Sequence, residues 1–92
     1  MEVLKISANS KPKFVAGAIA AAVRNEGGAE IHAIGAGAVN QAIKSVAIAR
    51  GYVVSNDIDL VCIPTFTKIN VDGVEKTGIK LLVTVRQREA DS

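Results

Sequence analysis

From Glu2 to Ser7 apolar and polar positions alternate loosely, with Val3, Leu4 and Ile6 apolar, and the stretch runs into Ser7-Ala8-Asn9-Ser10. Alternation that ends in turn-forming residues predicts a short first strand. Phe14, Val15, Ala18, Ile19, Ala22 and Val23 then recur at helical spacing. Pro12 stands where a first helical turn tolerates proline, with Ser10 or Lys11 at the cap, and Gly27-Gly28 ends the helix. Ala29 to Ile34 predicts a second strand. Val39, Ala42, Ile43, Val46 and Ala47 mark the apolar face of a second helix, which Gly51 is expected to end. Two β-rich runs, Ile58 to Val71 and Lys76 to Gln87, flank Asp72-Gly73, a hairpin signal whose glycine takes positive φ without strain. Pro64 removes a ladder donor from the third strand and so predicts an edge strand or a bulge.

The order β-α-β-α-β-β predicts an α/β protein of the α+β two-layer sandwich type, with both helices on one face of a mixed four-stranded sheet. Right-handed crossovers make the first two strands parallel, and the third is taken as parallel to them. A chain of 92 residues suffices for one domain, assigned to 1–88 with a tail at 89–92. Its core is small enough to make a second subunit expected. In this topology three junctions share one end of the domain: Asn9 to Lys13, Gly35 to Gly37, and the hairpin tip Val71 to Glu75. The other end carries Asn25 to Glu30, Gly51 to Asp59 and the tail.

Composition refines this picture. Aromatics are 3% of the chain and Trp is absent, so Ala, Val, Ile and Leu must build the core, which suits helices lying close to a sheet. No apolar run approaches the roughly 20 residues that cross a bilayer. The first residues lack the order of a signal peptide, so a cytoplasmic protein is expected. Cys62 cannot form an internal disulfide and is expected to behave as a small hydrophobe; no Cys or His cluster has zinc spacing, and no metal or cofactor is expected. With a net charge of only +2, the distribution of charge carries more information than its sum. The hairpin end holds Lys11, Lys13, Lys68 and Lys76 against Asp72 and Glu75, while the opposite connections hold Glu26, Glu30, Asp57 and Asp59. Helix N-termini, which attract anions, converge on the basic end.

The turn Gly35-Ala36-Gly37-Ala38-Val39-Asn40 invites comparison with a dinucleotide fingerprint, but Asn40 occupies the third glycine position, and coenzyme binding is rejected. Gly35 and Gly37 leave bare backbone at a helix N-terminus, which suits a phosphate; a tight corner would need the same glycines. Asn40 and Lys44 lie one helical turn apart opposite the apolar stripe, where they could reach a phosphate or simply face solvent. His32 is expected on the open face of the sheet, in a structural role, because no partner for general acid-base work is evident. Lys80, Leu82, Thr84, Arg86 and Arg88 share one face of the fourth strand and Ile79, Leu81, Val83 and Val85 the other, a pattern that a solvated edge also shows.

The string "MEVLKISANSKP", "VAGAIAAAVR", "AEIHAIGAGAVNQAIKSVAIARGYV", "DLVCIPTF" and "IKLLV" resembles the bacterial stage V sporulation protein S family from Met1 to about Val85. The resemblance implies a small cytoplasmic developmental regulator without known enzymatic chemistry. More distantly the chain is similar to the Alba chromatin proteins, which share its element order, dimerise through the second helix and last hairpin, and bind DNA or RNA. Their basic pair before a proline corresponds to Ser10 and Lys11, with Lys13 a possible substitute for the missing charge. Their arginines in the second strand-to-helix turn correspond to Gly35 and Gly37, which keep the shape of the site without its anchors.

These readings converge on a homodimeric, Alba-like nucleic-acid-binding regulator that holds DNA or RNA phosphates through Lys11, Lys13, Gly35, Gly37, Asn40, Lys44, Lys68 and Lys76. The alternative is a module for a small phosphorylated ligand or a regulatory protein, with the glycine turn as its pocket. An enzyme ranks third, because no nucleophile-base pair or metal set is present.

Overall fold

The computed structural model describes residues 1–87; Arg88 and the tail at 89–92 lie outside the described residues. In chain order the elements are β1 (Glu2–Ile6), α1 (Pro12–Glu26), β2 (Gly28–Ala33), α2 (Ala36–Val53), a short 3-10 turn (Val54–Asn56), β3 (Ile58–Val71) and β4 (Val74–Gln87). The strands form one sheet in the order β1-β2-β4-β3. β1 and β2 are parallel, and β4 runs antiparallel to both β2 and β3. β3 is therefore parallel to β1 and β2, and Pro64 lies on an edge strand as expected. β4 is an inner strand, so the alternation along it reflects the two faces of the sheet and not a solvated edge.

Both helices cover one face. Ala16, Ile19, Ala20 and Val23 of α1 meet Ala42, Val46 and Ala49 of α2 over Ile31, Leu81 and Val83 of the sheet, and all are buried. The small side chains let the helices approach each other and the sheet closely. Each fully buried isoleucine, such as Ile19 or Ile31, contributes about 1.5–3 kcal/mol relative to exposure. Cys62 packs half-buried against this core.

Two helical faces differ from the sequence expectation. Phe14 is 75% exposed, because the buried stripe runs through Ala16, Ile19, Ala20 and Val23, and Phe14 is two residues, roughly 200°, away from Ala16. On α2 the buried stripe runs through Ala38, Ala42, Ser45, Val46, Ala49 and Val53, leaving Ile43 46% exposed and Ala47 outside. Ser45 tolerates burial because its hydroxyl donates to the Gln41 carbonyl at 2.7 Å.

α2 also runs past Gly51. A helical glycine costs only about 1 kcal/mol relative to alanine, whereas continuing the helix buries Val53 completely. Arg24 of α1 supplies the stop from another element: its Nη2 donates to the Tyr52 carbonyl at 2.7 Å and its Nε to Asn56 Oδ1 at 3.0 Å. Asp57, at φ 60, then reverses the chain in the left-handed region.

β3 and β4 pair along all fourteen residues of each, but β2 accompanies β4 only from Ile79 to Thr84. The remainder, Thr67–Val71 with Val74–Gly78, is a two-stranded arm, and the domain measures 48 × 22 × 21 Å. At the root of the arm, a Cβ on Gly78 would stand 2.9 Å from the Ala33 carbonyl oxygen. Only glycine allows so close a crossing over the end of β2.

Candidate functional site

Two helix N-termini open at the carboxyl ends of β1 and β2. Lys11 caps α1 with an extended backbone, and its carbonyl accepts from the Phe14 and Val15 amides, both at 3.1 Å. Pro12 has no N–H to satisfy. Among the described residues no side chain caps this helix: the Ser10 hydroxyl instead accepts the Ser7 amide at 2.9 Å inside the β1–α1 loop. α2 begins at Gly35, again without a side-chain cap among the described residues and without an acid in its first turn. Such ends leave first-turn amides unpaired and carry the positive pole of the helix.

The two junctions are held together. Gln41 Nε2 of α2 donates to the Ser10 carbonyl at 3.0 Å. A Cβ on Gly37 would lie 3.0 Å from the Ala8 Cβ. The two glycines of the turn therefore have different reasons: Gly35 sits at φ 91, ψ 156, a region open essentially to glycine alone, and Gly37 permits close approach to the β1–α1 loop.

Of the residues singled out from sequence, Lys11, Lys13, Gly35 and Gly37 meet at these paired N-termini. Lys11 and Lys13 are exposed, with the Lys11 ammonium 5.9 Å from the Phe14 ring centroid. Asn40 and Lys44 are exposed further along α2. The arm lysines do not join as a pair. Lys68 lies opposite Thr77 and Lys76 opposite Ile69, which puts them on opposite faces of the ribbon. Lys68 is also 3.3 Å from Glu75, whereas Lys76 has no ion pair among the described residues.

A second group was not singled out from sequence. Cross-strand register places Lys5, His32, Lys80 and Thr65 in one row across the open face of the sheet. Glu30, expected at the acidic end, belongs to this face: its carboxylate is 3.4 Å from His32 Nε2 and 3.9 Å from Lys80 Nζ. His32 thus has the carboxylate neighbour that sequence reasoning did not find. Alternation along β2 already put Glu30 and His32 on one face, but only register brings Lys80 beside them. Next to the row, the arm and the ends of β1 and β2 line an open-sided cleft of about 500 Å³.

At the opposite end Asp59 is the centre of an ion-pair cluster. Arg50 donates to both Asp59 oxygens, at 2.6 and 2.9 Å, the Leu60 amide donates to Asp59 Oδ1 at 2.8 Å, and Arg86 stands 3.9 Å away. The Arg50 hydrogen bond first, and then the Leu60 amide, lower the Asp59 pKa to about 2. The amino terminus lies 4.0 Å from Glu26.

A family model described as Stage V sporulation protein S matches residues 2–86 of the chain. Among the described residues no helix is long and apolar enough to cross a membrane.

Proposed function

The chain belongs to the stage V sporulation protein S family, which supports a sporulation-related role, and from that premise we propose a nucleic-acid-binding developmental regulator that contacts the phosphate backbone without catalysis. One observation carries this reading: two uncapped helix N-termini are tied side by side, with the exposed Lys11 and Lys13 at their rim. Backbone amides and lysines attract phosphate oxygens whatever the base, so affinity without strong sequence preference follows.

The working unit in this reading is a homodimer in the cytoplasm. Exposed Ile43 on the outer side of α2 and Val54 in the 3-10 turn after it support it, as does the shallow groove that Ala47, Gly51 and Val54 form beside Asp59. Phe66, 81% exposed on the helix-side face of β3, adds apolar surface that a second copy would cover. A dimer doubles the number of phosphate-binding ends and raises avidity on a long polymer.

The decisive measurement is binding to duplex DNA and to single-stranded RNA across a salt series. Backbone contacts give a linear fall of log affinity with log salt, of slope about −0.9 per neutralised phosphate on duplex DNA. Absence of binding to either polymer at low salt would overturn the proposal, and a mass that stays monomeric through the micromolar range would overturn the dimer.

A further inference from the structure

The cleft between the arm and the ends of β1 and β2 is unlike the open helix N-termini, because it has walls. We propose that it binds a small phosphomonoester with an apolar or aromatic body, a nucleoside monophosphate being the simplest probe of that class. The proposal stands on the cleft alone and does not depend on nucleic-acid binding at the helix ends.

Size comes first. A volume of about 500 Å³ lies within the range of small-ligand sites, roughly 300–1,000 Å³. Ile34 from the sheet end faces Ile69 and Val71 of the arm, which gives an apolar slot able to hold a flat or aliphatic body. At the sheet end of the slot stand Lys5 and His32, direct cross-strand partners. Lys5 has no carboxylate within ion-pair distance among the described residues, so its ammonium retains all of its donors.

Two neutral donors complete the set. Asn70 Oδ1 accepts the Gly73 amide at 3.0 Å, which fixes the side chain and leaves its NH₂ group to donate. The Ser7 hydroxyl accepts the Asn9 amide at 3.2 Å and lies 3.4 Å from the Ser10 hydroxyl; with Ser10 as the donor of that contact, Ser7 has a proton to give to a ligand. A phosphomonoester, with nearly two charges and three acceptor oxygens, matches this surplus of donors better than a carboxylate does. Asp72, also in the wall, repels the phosphate from the hairpin tip and directs it toward Lys5; its carboxylate can accept from a hydroxyl of the ligand body.

Gly78 sets the cleft's shape. Besides the Ala33 carbonyl, a Cβ there would meet Ile34 and Ile69, each at 3.1 Å, and these are residues of the two walls. Adding a methyl group must shift backbone and separate the arm from the sheet end.

Calorimetric titration of the full chain with adenosine monophosphate, adenosine and inorganic phosphate, alongside amide chemical shifts, tests the site. Saturable binding of the monophosphate is expected, with shifts at Ile34 and Ile69–Asp72. Lys5→Ala should weaken binding about tenfold, the loss of one charge-assisted contact, and adenosine, which lacks every phosphate contact, should bind more weakly still. Gly78→Ala should weaken binding with Lys5 intact, whereas Lys11→Ala with Lys13→Ala should leave monophosphate affinity unchanged while reducing polymer binding. Competition by an end-phosphorylated trinucleotide, but not by its unphosphorylated form, would identify a strand terminus as the source; no competition would identify a free nucleotide. Equal affinity for adenosine and its monophosphate, shifts centred on the helix N-termini, or no saturation at millimolar ligand would each overturn the proposal.

Discussion

Around Asp59 the long charged side chains are occupied: Arg50 holds both carboxylate oxygens, Arg86 flanks them, and Arg24 nearby caps the end of α2 through Tyr52 and Asn56. At the helix N-terminal end Lys11 and Lys13 have no ion pair among the described residues, and the first-turn amides beside them have no side-chain cap there. Both ends hold cations, so charge count alone does not separate them. Pairing does: a paired arginine holds the chain in place, while an unpaired lysine over open amides keeps its field for an incoming anion.

Substitutions in the turn should disturb this contrast most. Gly37→Val forces a branched side chain against Ala8 and should cost about 1–3 kcal/mol in thermal or denaturant unfolding. Gly35→Ala places a Cβ in a glycine-only region and should cost a similar amount, about 1–3 kcal/mol. If nucleic-acid affinity at temperatures well below unfolding also falls, the turn is a phosphate cradle as well as a corner; intact affinity would reduce it to a corner.

A smaller loss, roughly 1–2 kcal/mol, is expected for Arg24→Ala, which removes charge-assisted hydrogen bonds to the end of α2. Its salt slope for nucleic acid should match the unaltered protein's. A changed slope would show that the paired end also binds, and the contrast would fail.

The double change Lys11→Ala with Lys13→Ala should move stability by less than about 0.5 kcal/mol. It should lower the magnitude of the salt slope by about 1 for each lost phosphate contact and weaken binding evenly across sequences. Arg86→Ala is the control of equal charge type. Since it removes one charge against two, weakening by half as much would make net charge, and not the helix ends, responsible.

The subtlest effect is confined to acid. The Asp59 pKa is depressed from an ordinary 3.8 to about 2, so its contribution to stability is complete above the unfolded value and is lost as pH falls from about 4 toward about 2. Asp59→Asn should flatten the pH dependence of unfolding in that window alone. An unchanged acid profile would mean that Asp59 is not held as its contacts imply.

Much of the architecture was legible because its signals are local. Pro12 and Gly27 bracket α1, Asp72-Gly73 makes the hairpin, and Pro64 marks the edge strand. The errors arose where a distant partner outweighed a local signal. Gly51 did not stop α2, since continuing buries Val53, and Arg24 supplies the stop only from the Tyr52 carbonyl onward. Phe14 and Ile43 looked like core by hydrophobicity, yet helix phase turns them outward. At the helix ends, Lys11, Lys13, Gly35 and Gly37 were all found from sequence, but only the structure separates the two glycines: Gly35 takes the positive φ and Gly37 the close approach to Ala8.

By itself, then, the sequence determined the elements, their order and the location of both helix starts, since each depends on residues within a few positions of one another. Tertiary structure alone decided that Lys5, His32 and Lys80 share a row, that Gly78 lets the arm cross β2, and that Lys68 and Lys76 face apart. Those relations depend on strand register and twist, which arise from pairing between residues distant in the chain, and no local pattern encodes which side chain will stand opposite which.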